Sequence, residues 1–248
     1  MHLQLVLYGA LVFGLLTSLE GDCLKIIGGK EVAPHSKPYM AYLSIGCGAA
    51  LIKEDWVLTA AHCFRLGEVA VLGAHSIKKN EKQQQMLQVK GVFMYPKYNC
   101  LTKQNDLMLM QLEKPATLNK QVSLLSLPSS GDDVSPGTRC NVAGWGATSF
   151  MGKTSDTLQE VNVTVIDRKL CNTNSYYNGL ISKNMLCAGD KIGGKDSCGG
   201  DSGGPLICDG VYRGIVSFGA DCGLATKPGV YTLLTDKYLK WIQDTISA

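Results

Sequence analysis

Apolar positions along the chain come in short runs broken by turn-forming residues. Seven runs stand out: Tyr39–Ile45, Val69–Gly73, Leu87–Met94, Leu107–Leu112, Val161–Ile166, Val211–Phe218 and Val230–Leu234. Gly, Pro, Asn, Asp and Lys separate them. Short β-rich runs at this spacing predict an all-β barrel or sandwich, not alternating strands and helices. Only the C-terminus predicts a helix. There Thr235 is placed to N-cap, and Leu239, Ile242 and Ile246 share one helical face. The segment Leu127–Gly137, with two prolines, two glycines and three serines, reads as a linker between similar halves.

One apolar run is different. Leu5–Leu16 holds twelve residues without a charge. A bilayer span takes about 20 residues, so this run fits the hydrophobic region of a signal peptide better. A buried strand or helix is the bland alternative. Cleavage could follow Ser18, Gly21 or Cys23. No second run reaches membrane length, so a secreted, soluble chain without a membrane span is expected.

Composition narrows the class. The chain has 248 residues, 45% of them hydrophobic and 18% charged, enough for a sizeable core and too few charges for disorder. The 28 glycines follow no G-X-Y period, which excludes collagen. A net charge of +3, from 24 basic and 21 acidic residues, is too balanced to imply a nucleic-acid partner. Ten cysteines point to an oxidising compartment.

Four local patterns carry chemistry. Asp196–Pro205 reads DSCGGDSGGP. Taken alone, its GDSGG is a Gly-rich hairpin. A serine in a loop of permissive glycines with free N–H groups also suits a nucleophile beside an oxyanion site. LTAAHC places His62 between a small apolar run and a cysteine. NDL places Asp106 in an apolar stretch, where a carboxylate is costly unless hydrogen-bonded; pairing with His62 would satisfy it. IIGG follows directly on Lys25 and puts Ile26 one position past a basic cleavage site. Each pattern is moderate alone. The order His62, Asp106, Ser202, at separations of 44 and 96 residues, is highly specific.

With these motifs the chain from Ile26 to its C-terminal helix resembles the chymotrypsin-like (trypsin-family) serine proteases. The resemblance implies two six-stranded antiparallel β-barrels with the site between them and a C-terminal α-helix. It implies a signal peptide over 1–23, an activation dipeptide at 24–25 and a protease domain over 26–248, halved at 26–126 and 127–248. It implies that Ser202 is the nucleophile, that His62 is the base, and that Asp106 fixes the His62 tautomer. The backbone N–H groups of Gly200 and Ser202 would form the oxyanion hole. Ser217 would bond the buried aspartate, and Ser217, Phe218 and Gly219 would hold an extended substrate. Asp196, beside Ser197, would floor a pocket for Arg or Lys at P1, with Gly219 and Gly229 as its walls. Lys103 would line S2, with an exposed lysine as the alternative. Asp201 would pair with the Ile26 ammonium once an activating protease cuts Lys25–Ile26, so the precursor would be inactive.

The family pattern further implies the disulfides Cys47–Cys63, Cys140–Cys208, Cys171–Cys187 and Cys198–Cys222. Cys23 would leave with the leader, and Cys100 would be odd. Local likenesses such as IIGGKEVAPHSKPYMAYL, LGAHSI and VNVTVIDRKLCN are nearest to the granzymes A and K, tryptases of cytolytic granules. That likeness implies a disulfide-linked homodimer through Cys100, with a free thiol as the alternative. It implies a granule-stored endopeptidase in lymphocyte killing, with serpin or Kunitz-type inhibitors. A digestive or plasma trypsin-like protease, or a silent pseudoprotease, are the alternatives. Gly199 stands where the family usually carries a side chain over the pocket mouth. Ala74 stands where calcium-binding trypsins carry a glutamate, so no calcium site is expected. No CxxC or HExxH pattern suggests zinc, and no cofactor is expected. Asn162 opens an N-glycosylation sequon. Lys78, Lys79 and Lys82 form a basic loop that is either merely solvated or a site for acidic proteoglycan.

Overall fold

The computed structural model describes residues 26–148 and 152–247. The expected leader and Lys25 lie outside the described residues.

Among the described residues, twelve of the thirteen strands build two closed antiparallel barrels. The first joins β2 (Met40–Leu43), β3 (Cys47–Lys53), β4 (Trp56–Thr59), β5 (Val69–Leu72), β6 (Gln85–Met94) and β7 (Met108–Leu112) in the order β2-β3-β4-β7-β6-β5. Pairing of β2 with β5 closes it. The second joins β8 (Arg139–Gly144), β9 (Gln159–Ile166), β10 (Met185–Gly189), β11 (Pro205–Cys208), β12 (Val211–Phe218) and β13 (Gly229–Leu233). Its order is β8-β9-β10-β13-β12-β11, closed by β11 on β8. The two-residue β1 (Lys30–Glu31) adds to β9. Closure leaves no long exposed edge to recruit another chain.

All seven expected runs are strands. Five longer strands were not anticipated: β3, β4, β8, β10 and β11. Their sequences CGAALIK, WVLT, RCNVAG, MLCAG and PLIC are short or built on Gly, Ala and Cys. Nearly all of their residues are buried. Strands covered on both faces lose the alternation that marks a half-buried strand.

The single expected helix has a companion. A one-turn helix α1 (Arg168–Cys171) is capped by Asp167, whose carboxylate accepts from Lys169 N and Leu170 N. The C-terminal helix α2 (Asp236–Ile246) begins after Thr235, but the Thr235 hydroxyl makes no capping bond and is buried without a partner. Tyr238 and Ile242 are fully buried against the first barrel's core, joined there by Tyr212 and Ile215 of β12. The helix therefore carries the chain back from the second barrel to the first. Burying an Ile side chain contributes about 1.5–3 kcal/mol. Tyr95 packs edge-on against both Tyr238 and Trp241, at 4.8 and 5.1 Å.

The four expected disulfides form. Cys100 is exposed and free. Among the described residues no helix is long and apolar enough to cross a membrane.

Candidate active site

His62 sits on a single 3-10 turn (Ala61–Cys63) that ends β4. The Cys47–Cys63 bridge ties this turn to β3. Asp106 immediately precedes Leu107 and β7, the neighbour of β4, so sheet pairing brings the two residues together. Asp106 is fully buried. It accepts from His62 N at 2.9 Å, from the His62 ring at Nδ1 at 2.7 Å, and from Ser217 Oγ at 2.5 Å. Three donors offset the cost of burying the carboxylate. A carboxylate only accepts, so Nδ1 carries the proton and Nε2 of the neutral ring keeps its lone pair. Thr232 of β13 donates to Asp106 O at 3.0 Å, and Tyr238 donates to Asn105 Oδ1 at 2.9 Å. The second barrel and α2 thus hold the aspartate loop of the first barrel.

The Ser202 loop is clamped against the same elements. Gly48 N of β3 donates to Ser202 O at 2.7 Å, and Gly203 N donates to Val216 O at 2.8 Å. Gly203 has φ +80°, and a Cβ there would lie 2.1 Å from Thr59 Oγ1 and 3.1 Å from Ala60 N, just before the His62 turn. Only glycine lets the serine loop come this close. Gly200 has φ +100°, and a Cβ would press on Gly146 Cα at 2.9 Å. Among the described residues Ser202 Oγ has no hydrogen-bond partner, which leaves the hydroxyl free at the cavity wall.

Beside Ser202 lies a cavity of about 250 Å³. Asp196 floors it, only 2% exposed. Ser197 lines the same cavity, its Oγ 3.2 Å from Tyr231 Oη. Ser217, Phe218 and Gly219 form one wall. Burial pushes the Asp196 carboxyl up to about 7, against the opposing bonds from Gly223 N and Gly229 N at 3.1 Å. Gly219 faces open space, whereas a Cβ on Gly229 would meet Asp196 Oδ1 at 2.7 Å. Gly229 therefore keeps room for the carboxylate itself, in addition to any ligand. A Cβ on Gly199 would touch nothing within 4 Å, so the mouth there is open. Behind Phe218, Tyr177 packs edge-on at 5.9 Å and donates from its hydroxyl to Pro228 O. Neither Tyr177 nor Asp221, which lines the cavity rim, carries a sequence signal of its own.

Asp201 is fully buried and accepts from Gly146 N at 2.8 Å and Cys198 N at 2.9 Å. Burial pushes its carboxyl up to about 6. Gly144 and Gly146 leave room for it; a Cβ on either would strike the carboxylate. Ile26 is fully buried in the second barrel's core, with φ +38°. Lys103 stands half-buried on the turn before Asp106, with φ +53°, and does not line the cavity. Cys100 belongs to the same turn. Asn162 is exposed on β9, its Oδ1 accepting from Asn141. Lys78, Lys79 and Lys82 are exposed. Among the described residues, Cys47, His62 and Cys63 are the only group of three or more metal-ligand side chains drawn together, and the two sulfurs are in a disulfide, so they offer no thiolate.

The sequence pattern of the trypsin family matches residues 26–242. The chain is 52% identical to granzyme A of Bos taurus over 91% of its length and 90% of that protein's. It is 45% identical to trypsin-3 of Salmo salar over 90% and 94%, and 44% identical to granzyme B of Homo sapiens over 95% and 97%.

Proposed function

The chain belongs to the trypsin family of serine proteases, and from that premise we propose that it is an endopeptidase cutting protein substrates after arginine or lysine. Ser202 Oγ attacks the scissile carbonyl while His62 Nε2 takes its proton. Asp106, already bonded to Nδ1, stabilises the imidazolium that forms. The imidazolium then gives the proton to the leaving amine. The N–H groups of Gly200 and Ser202 receive the oxyanion, each donor worth roughly 10²–10³ in rate. The observation that carries the P1 assignment is Asp196, a buried carboxylate at the floor of the cavity that Ser202 lines. A Lys or Arg side chain entering the cavity supplies the missing countercharge.

The reading extends to activation. Cutting Lys25–Ile26 creates an ammonium at Ile26, which is buried in the second barrel's core, and on this reading the ammonium pairs with the buried Asp201 carboxylate. The pair completes the Gly200 loop, which Asp201 anchors through Cys198 N. Likeness to granzyme A supports storage in cytolytic granules, inhibition by serpin or Kunitz-type proteins, and a Cys100–Cys100 homodimer. Lys103 at S2, a glycan on Asn162 and acidic proteoglycan on the Lys78–Lys79–Lys82 loop belong to the same reading. Likeness to trypsin-3 favours a digestive protease as the second reading; staining of granules against gut tissue separates the two.

The test is hydrolysis of a P1 panel of Arg, Lys, Phe, Asp and Met, before and after cutting Lys25–Ile26. Activity only after the cut, and only on Arg and Lys, is the expected result. Activity on Phe or Met would keep the protease and refute the role of Asp196.

A further inference from the structure

The cavity beside Ser202 holds two carboxylates, and only one has a role so far. Asp196 is sealed at the floor by the N–H groups of Gly223 and Gly229. Asp221 lines the same cavity at its rim, half-buried, one residue before the Cys198–Cys222 bridge that fixes the wall. Among the described residues Asp221 has no hydrogen-bond or ion-pair partner. Lys227 is engaged elsewhere: its Nζ bonds Tyr176 O and lies 5.3 Å over the Tyr177 ring. Burial, reinforced by the charges of Asp196 and Asp221, raises the Tyr177 phenol to about 12. Tyr177 in turn backs Phe218. An unpaired carboxylate therefore stands beside an aromatic wall at the mouth of the specificity cavity.

Strand geometry says which substrate residue meets it. This step rests on the reading that an extended substrate runs antiparallel to Ser217–Gly219. Side chains two apart on an extended strand share a face, about 6.6 Å apart. With P1 in the cavity, P3 shares its face and lies toward Gly219. Continuing past Gly219 the wall leads to Ala220 and Asp221. We propose that Asp221 is a specificity-determining residue that selects a cationic P3 side chain, whose stem lies on Phe218 and whose charge meets the Asp221 carboxylate. The preferred substrates then carry two basic residues spaced two apart, one for each carboxylate.

The test uses the cut enzyme, its active sites counted with a serine-directed reagent. Peptides share P1 Arg and differ at P3: Lys, Ala or Glu. Attraction for Lys plus repulsion of Glu at a half-exposed site predicts a Lys-to-Glu ratio in kcat/KM of about tenfold. The ratio should fall to about one in Asp221→Asn and persist in Asp221→Glu, and should shrink in 1 M salt. A ratio that survives in Asp221→Asn, or a wild-type ratio near one, would overturn the proposal alone. Failure to cut after Arg with any P3 residue would overturn the trypsin-like reading, and this proposal with it.

Discussion

Cutting Lys25–Ile26 should remove the Asp201 share of a fall in stability between about pH 4 and 6. In the uncut chain Asp201 is fully buried, and its carboxyl is raised from 3.8 to about 6. Between those values the folded chain keeps a proton that the unfolded chain has released. Stability therefore falls as pH rises through this window. Two units at about 1.4 kcal/mol each give a cost of about 3 kcal/mol at pH 7. Ile26 adds to it: a β-branched residue held at φ +38° carries about 1–3 kcal/mol of strain. The cut frees that torsion and supplies an ammonium. Paired with it, Asp201 drops below its ordinary value, so its contribution is present above pH 4 and lost only as pH falls further. The ammonium's own pKa rises, so its contribution is full below about pH 8 and lost as pH climbs through the raised value. Asp196, raised to about 7, gives both forms the same slope, so the difference between cut and uncut chains isolates Asp201. The assay is thermal unfolding of both forms, each carrying Ser202→Ala to prevent autolysis, from pH 4 to 9. The cut form should gain about 3 kcal/mol or more at pH 7, roughly 6–12 °C in Tm, and the gap should narrow toward pH 4. Parallel curves across that range would refute the pairing.

Four further outcomes follow from the same geometry. Asp106→Asn should lower kcat about 10⁴-fold with KM little changed, because Nδ1 would no longer be held as the donor; active-site titration with steady-state kinetics checks it. For P1 Lys substrates, kcat/KM should fall as pH drops through about 7, because only ionised Asp196 attracts the cation. Asp196→Asn should abolish cleavage after Arg and Lys; a pH–rate profile that keeps the same limb for P1 Lys in this variant would sink that account. Calcium or EDTA should leave Tm within about 1 °C. The loop after Ala74 is closed by its own side chains: Gln84 Nε2 donates to Ser76 O and Lys79 O, and Glu81 accepts from His75 N and Ser76 N. A calcium-dependent rise of several degrees would count against this.

What the sequence shows and what it hides divide along a physical line. The meeting of His62 with Asp106 could be anticipated, because a buried carboxylate must find donors and the order of motifs names the partner. Seven strands could be anticipated from their apolar runs, whether half-exposed like β6 and β9 or buried like β7 and β13. Strands β3, β8 and β10 could not: they are rich in Gly, Ala and Cys and mostly buried, so no apolar run of large side chains marks them. Close approach explains the glycines of GDSGG, yet no pattern says which neighbour each one admits. Gly203 answers to Thr59, 144 residues earlier in the chain, and Gly200 to Gly146. Asp221 was hidden for a related reason. In the sequence it is an ordinary loop acid beside a cysteine, and only the fold sets it on the same cavity as Asp196. On the proposed reading, specificity depends on residues whose meaning comes from what long-range closure brings to one wall. Substitutions along Gly219–Cys222 should therefore change substrate choice while leaving the His62–Asp106 geometry in place.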